Sequence, residues 1–191
     1  MGRPKAFLRV GNASLIERVL AVAAEVAPEV LLVTNQPSWF RHLAVPLVRD
    51  RFSGQGPLAG VHAGLAAASH PRAVVLACDL PFVSAALLRY LVSVGEGFDA
   101  VVPVVRGYPE PLVAVYAKSC LSAIEQRLTS ASPVRIADFY SQVSIRYVPE
   151  EELAPFVEVE KAFFNVNTPE DLAKAQRWEA ERRKEGICPG T

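Results

Sequence analysis

The chain has 191 residues, 51% hydrophobic and 21% charged, which supplies one sizeable core and argues against disorder. Twenty Lys and Arg balance twenty Asp and Glu, so the basic excess of a general nucleic-acid or anionic-membrane binder is missing. No apolar run approaches the ~20 residues of a membrane span, Met1 to Lys5 has no signal-peptide core, and Cys78, Cys120 and Cys188 fit no metal-ligand spacing, so a cytoplasmic setting is expected.

Taken in chain order, short β-branched runs alternate with longer helical stretches. Ser14, with Glu17 in the capping-box position, predicts a helix through Leu15, Ile16, Val19, Leu20 and Ala23. Residues 30–34 and 45–48 read as strands, and Pro57 opens an Ala- and Leu-rich helix to residue 68. A continuously apolar strand follows at 73–77, then a helix at 85–94 capped by Ser84. Residues 100–105, 112–116 and 143–148 predict further strands, the last alternating like a half-exposed one. Thr168-Pro169-Glu170-Asp171 starts a final helix that runs into a charged tail; the domain is expected at 1–176 and the tail at 177–191. This βαβα order predicts an α/β domain with a mostly parallel sheet between helical layers.

Such sheets bind ligands at the carboxyl ends of their strands. Asp79, just past the strand at 73–77, suits a single-carboxylate Mg²⁺ ligand, or a turn cap before the next helix. Cys78 beside it has no activating base and reads as a small core residue. The run Phe52-Ser53-Gly54-Gln55-Gly56-Pro57-Leu58-Ala59-Gly60 lies between a strand and a helix, where glycines allow close backbone approach and helix amides favour anions. Asn35 follows another strand end and could bond a base or ribose, or simply form a turn. Asn165 and Asn167 could be turn and cap residues, or could face a metal and its phosphates. Lys5 by itself reads as a solvated cation; His42, His62 and His70 read as structural or exposed, and Arg182-Arg183-Lys184 as a solvated helix end. Arg106, Tyr108 and Pro111 precede a strand where an anionic substrate could lie.

Taken together, Gly2-x-x-Lys5-Ala6-Phe7-Leu8, Gly11, Leu15-Ile16, Thr34-Asn35, Asp50, Gly56-Pro57-Leu58-Ala59-Gly60, Cys78-Asp79-x-Pro81, Pro111-Leu112 and Phe164-Asn165-Val166-Asn167-Thr168-Pro169-Glu170-Asp171-Leu172 carry a family order. The chain resembles the molybdenum cofactor guanylyltransferases, from Met1 to about Gln176. The boxes are specific in combination rather than singly. The resemblance implies a three-layer Rossmann-like nucleotidyltransferase that transfers GMP from GTP to molybdopterin with Mg²⁺. It implies Lys5 at the GTP phosphates, Asn35, Asp50, Gly56, Pro57 and Leu58 in the nucleotide site, Asp79 on nucleotide and Mg²⁺, and Asn165 and Asn167 near metal and pterin. Molybdoenzymes or other cofactor-biosynthesis proteins would be its partners, with no nucleic acid and no membrane.

The family also places a strand and a Leu-Ala-Gly-Gly-x-Ser-x-Arg loop directly before the Met-Gly-x-x-Lys matched at Met1 to Lys5. A sheet without that N-terminal strand is therefore expected, from a start assigned at an internal methionine or from a natural remnant with little catalysis. The intact remaining positions favour the former. A cytidylyltransferase acting on the same pterin, or another NTP transferase, is the alternative within enzymes.

Overall fold

The computed structural model describes residues 4–52, 54–130, 134–184 and 186; Met1 and Gly2 of the first motif, Ser53 and Cys188 lie outside them. A two-residue hairpin, β1 (Arg9–Val10) against β2 (Ala13–Ser14), turns at Gly11 with φ 65°. The predicted capping box then forms. The Glu17 carboxylate accepts the Ser14 N–H at 2.7 Å, Glu17 N–H reaches the Ser14 hydroxyl, and α1 (Leu15–Val26) begins there. Next come β3 (Leu32–Val33), β4 (Leu47–Val48) and α2 (Pro57–Ala67). They lead into β5 (Arg72–Leu76) and α3 (Ala85–Ser93), whose Leu87 N–H bonds the Ser84 hydroxyl at 3.2 Å as its cap pattern predicts.

The remaining elements are β6 (Ala100–Val105), β7 (Tyr108–Pro109), β8 (Val113–Ala117), α4 (Leu121–Leu128), β9 (Ile145–Pro149), α5 (Glu150–Leu153), α6 (Val159–Ala162) and α7 (Pro169–Lys184). The expected tail boundary at 176 falls inside α7, and Glu179 beyond it is buried.

Strands β5, β8, β6 and β7 form one sheet in that order, with β9 also on β6. Because β5 and β6 are both antiparallel to β8, they share a direction, and β9 is parallel to β6. β8 is reversed because only a short turn links it to β6 through β7. Arg106 and Gly107 there have φ 52° and 80°, and so short a link cannot make a parallel crossover. Side chains alternate across the layer. Ala114 and Tyr116 face Leu58, Leu65 and Ile124 of α2 and α4, while Val113 and Val115 face Val19, Leu87 and Leu91 of α1 and α3. This is the three-layer α/β arrangement.

The sheet is divided at one place. Among the described residues, β3 pairs only with β4, in parallel, and is not bonded to β5. Leu32 and Thr34 donate to Pro46 and Val48 at 3.0 and 2.8 Å, which turns the N–H of Leu31 and Val33 the other way. On β5, the bonds Ala77 N–H to Leu112 and Lys118 N–H to Pro71 set an antiparallel ladder in which Val74 and Leu76 face away from β8. An apolar cavity of about 580 Å³ lies between these edges, covered by Val61 and Leu65 of α2 on one side and by Ile16 and Leu88 on the other. Both strands start side by side, where Glu29 accepts the Ser69 N–H at 2.8 Å. The channel thus separates the β3–β4 pair from the five-stranded sheet.

Candidate active site

Lys5 opens a single 3-10 turn (Lys5–Phe7) in which Phe7 and Leu8 donate to Pro4 and Lys5 at 3.0 Å. Ala6 is buried with Ile16 and Phe40, which anchors the turn and lets the Lys5 side chain project from it. Asp79 lies in the turn after β5, and its carbonyl accepts the Val166 N–H at 3.0 Å. Val166 is buried with Val10, Leu15 and Ala175, so that bond docks the 165–167 segment beside Asp79. Thr168 caps α7: its hydroxyl accepts the Asp171 N–H at 3.1 Å. The Asp171 carboxylate returns to the N–H groups of Asn167 and Thr168 at 2.9 and 2.8 Å, and these two bonds, Asn167 first, hold its carboxyl below the usual range.

Three expected site residues therefore meet. Lys5 Nζ lies 2.7 Å from Asp79 Oδ2 and 2.6 Å from Asn167 Oδ1. The other carboxylate oxygen, Asp79 Oδ1, is buried and has no hydrogen-bond partner. An unpartnered buried acceptor costs about 1–3 kcal/mol, so the turn presents a seat for a cation or a donor. Among the described residues no group of three His, Cys, Asp or Glu side chains could hold a metal. One carboxylate oxygen of this kind fits Mg²⁺, which keeps waters and takes substrate phosphates as its other ligands.

A second set borders the channel at the carboxyl ends of β3, β4 and β5. Asn35 Nδ2 donates to Asp50 Oδ2 at 2.6 Å, and Asp50 N–H returns to Asn35 Oδ1 at 3.3 Å. Gly54 and Gly56 have φ 84° and 67°, and no side chain caps α2 after them; Pro57 has no N–H and the Ala59 N–H bonds the Gly56 carbonyl at 3.3 Å, which leaves the Leu58 N–H of its first turn for an anion. Pro57 takes the first helical position, and Leu58 has its side chain wholly in the core, leaving its backbone N–H to offer. Asn35, Asp50, Gly56, Pro57 and Cys78 all line this end of the channel.

Asn165 is half-buried on the segment that carries Asn167. Burial, followed by the neighbouring Asp79 charge, pushes the Cys78 thiol up, in keeping with a core residue rather than a nucleophile. Arg106 sits in the β6–β7 turn with its backbone N–H on the Glu150 carboxylate, Tyr108 is exposed, and the Pro111 carbonyl accepts the Tyr116 hydroxyl at 3.0 Å. Of the histidines, His62 is buried against Glu125 at 2.8 Å and His70 contacts Glu29. Sequence reasoning missed two things here. Asp171 read only as a dipole acid, although the Thr-x-x-Asp pattern is a visible capping signal. Arg18 and Glu179, which meet at 2.6 Å, carry no signal in the sequence of either helix.

Comparison with known proteins shows the family. The family model for the MobA-like NTP transferase domain matches residues 1–144. A protein of Pelotomaculum thermopropionicum named probable molybdenum cofactor guanylyltransferase is 43% identical over 176 residues, covering 92% of this chain and 85% of that protein. The molybdenum cofactor guanylyltransferase of Desulfosudis oleivorans is 34% identical over 92% of this chain and 87% of its own length. The crystal structure of molybdopterin-guanine dinucleotide biosynthesis protein A from Archaeoglobus fulgidus superposes with a TM-score of 0.80 at 31% identity, covering 93% of this chain and 91% of that one. The chain belongs to the MobA-like NTP transferases, the family of the molybdenum cofactor guanylyltransferases.

Proposed function

We propose that this chain transfers GMP from GTP to the terminal phosphate of molybdopterin, with release of pyrophosphate, in molybdopterin guanine dinucleotide biosynthesis. The observation that carries the chemistry is the meeting of Lys5, Asp79 and Asn167 around a buried, unpartnered carboxylate oxygen. The attacking phosphate is already anionic, so no protein base is needed; the protein aligns two anions and offsets their charge. Lys5 supplies the positive charge nearest Asp79 and is held on two sides, which prepares it to meet phosphate oxygens with little further loss of freedom. The Leu58 N–H at the start of α2 adds a donor for a second phosphate group. Asn35 and Asp50, fixed on each other at the ends of β3 and β4, offer an amide and a carboxylate to the nucleoside. A Mg²⁺ held by Asp79 would neutralise phosphate charge when bound.

The test is an assay of the purified chain with GTP, MgCl₂ and molybdopterin, reading pyrophosphate and the guanine dinucleotide product, with CTP as competitor. Product formed from GTP in preference to CTP is the expected result. Preference for CTP overturns the base assignment, and absence of any Mg²⁺-dependent GTP binding overturns the reading as a transferase.

A further inference from the structure

Beneath the Asp79 turn, one guanidinium joins three separate segments. Arg18 of α1 donates Nε to the Val10 carbonyl at 3.0 Å and Nη1 to the Pro81 carbonyl at 3.3 Å. Its Nη2 lies 2.6 Å from Glu179 Oε2, with side-chain exposures of 14% for Arg18 and 5% for Glu179. Each contact reaches a segment that carries a site residue. Val10 closes the hairpin strand that follows Lys5, Pro81 ends the turn that holds Asp79, and Glu179 rides on α7, which starts just after Asn167.

The surroundings make this pair rigid. Arg182 and Arg183 hold Glu179 from the outer side at 3.0 and 3.2 Å. Gly11 permits the close approach of the hairpin, since a Cβ there would lie 3.0 Å from Glu179 Cγ. The Phe82 ring lies 5.8 Å from the Arg18 guanidinium. Cohesion alone could be met by the apolar Val10, Val166, Phe82 and Phe164 cluster alongside. A planar fork bonded in three directions does something a greasy contact cannot: it sets the relative heights of the Val10 and Pro81 carbonyls.

We propose that Glu179, acting through Arg18, is a positioning residue that keeps the Asp79 carboxylate in register with Lys5 and Asn167. This rests on the reading of Asp79 as the centre of the transfer site. Displacements of ~1 Å at reacting groups can cost about a hundredfold in rate, so the effect is visible in turnover before it is visible in binding.

The test uses the full chain. Glu179→Gln keeps shape and removes charge. It is expected to lower kcat about tenfold or more while KM for GTP stays within about twofold, with partial recovery in Glu179→Asp. Without any substrate, hydrogen exchange should accelerate in segments 79–82 and 164–167 and not in β6. Glu25→Ala, an exposed charge on α1 outside this cluster, should keep the parental kcat. Parental kcat and exchange in Glu179→Gln overturn the proposal. So does exchange that rises evenly through α7 and the core, the mark of a purely stabilising role. Asp79→Asn separates the two readings: if it transfers at the parental rate the site assignment falls, and if it is inactive while Glu179→Gln is unimpaired only the positioning claim falls.

Discussion

Asp171 accepts the backbone N–H of Asn167 at 2.9 Å, so the carboxylate that starts α7 also fixes the residue whose side chain meets Lys5. Replacing it with Ala removes both bonds to the 167–168 backbone. The expected outcome is a lower melting temperature together with a fall in kcat of about tenfold, whereas Thr168→Ser, which keeps the cap hydroxyl, changes neither. Calorimetry and a pyrophosphate-release assay check this.

Asp79→Asn keeps the volume of the side chain and removes its charge. It should reduce GMP transfer by about 10²–10³-fold, the cost of losing a preorganised charge at a reacting phosphate. Stability should hardly change, because the Lys5–Asp79 pair is partly exposed and contributes at most ~1 kcal/mol. Urea denaturation alongside the assay distinguishes these outcomes; a large loss of stability would mark Asp79 as a structural cap instead.

Among the described residues, the channel between β3 and β5 presents an apolar lining inside a folded protein. Such a feature binds hydrophobic dyes under native conditions. The folded chain should enhance 1-anilinonaphthalene-8-sulfonate fluorescence well below its melting temperature, and Val33→Asn, at the channel wall, should reduce the signal several-fold. Dye binding that Val33→Asn leaves unchanged would place the apolar surface elsewhere.

Acid stability follows from carboxylates held by hydrogen bonds. The Ser119 hydroxyl, then the Ser144 N–H, lower the carboxyl of Asp99, and the bonds from Asn167 and Thr168 lower that of Asp171. Each group binds protons less readily folded than unfolded. Its contribution is therefore full above the ordinary carboxyl range and is lost as pH falls through the lower folded value. The melting temperature should be level above about pH 5 and fall below about pH 4, with a shallower fall in Asp99→Asn. Thermal scans across that range provide the check.

Much of this architecture is local and so was legible in the residues. Ser14 with Glu17, Ser84, Pro57 and Thr168 each place a helix start within a residue or so, because a cap needs only neighbours in the chain. The apolar run at 100–105 marks a strand buried along nearly its whole length for the same reason, whereas the strand from the run at 73–77 is only half-buried because it borders the channel. The sequence could not show that β8 runs against its neighbours, which depends on how the turn at Arg106 and Gly107 closes. Nor could it show that the stretch of α7 past residue 176 buries Glu179.

The candidate site divides in the same way. Asp79, Lys5 and Asn167 each had an ordinary reading alone, as cap, solvated cation and turn residue, and their order along the chain tied them to a family. Bringing Lys5 within 2.6 Å of a residue 162 positions away is a property of the folded chain alone. So is leaving one Asp79 oxygen buried without a partner, because burial and hydrogen bonding are sums over neighbours from every layer. The Arg18–Glu179 pair is the extreme case: one charge on an amphipathic helix and one on a polar helix become interior only when α1 and α7 close over the Gly11 turn.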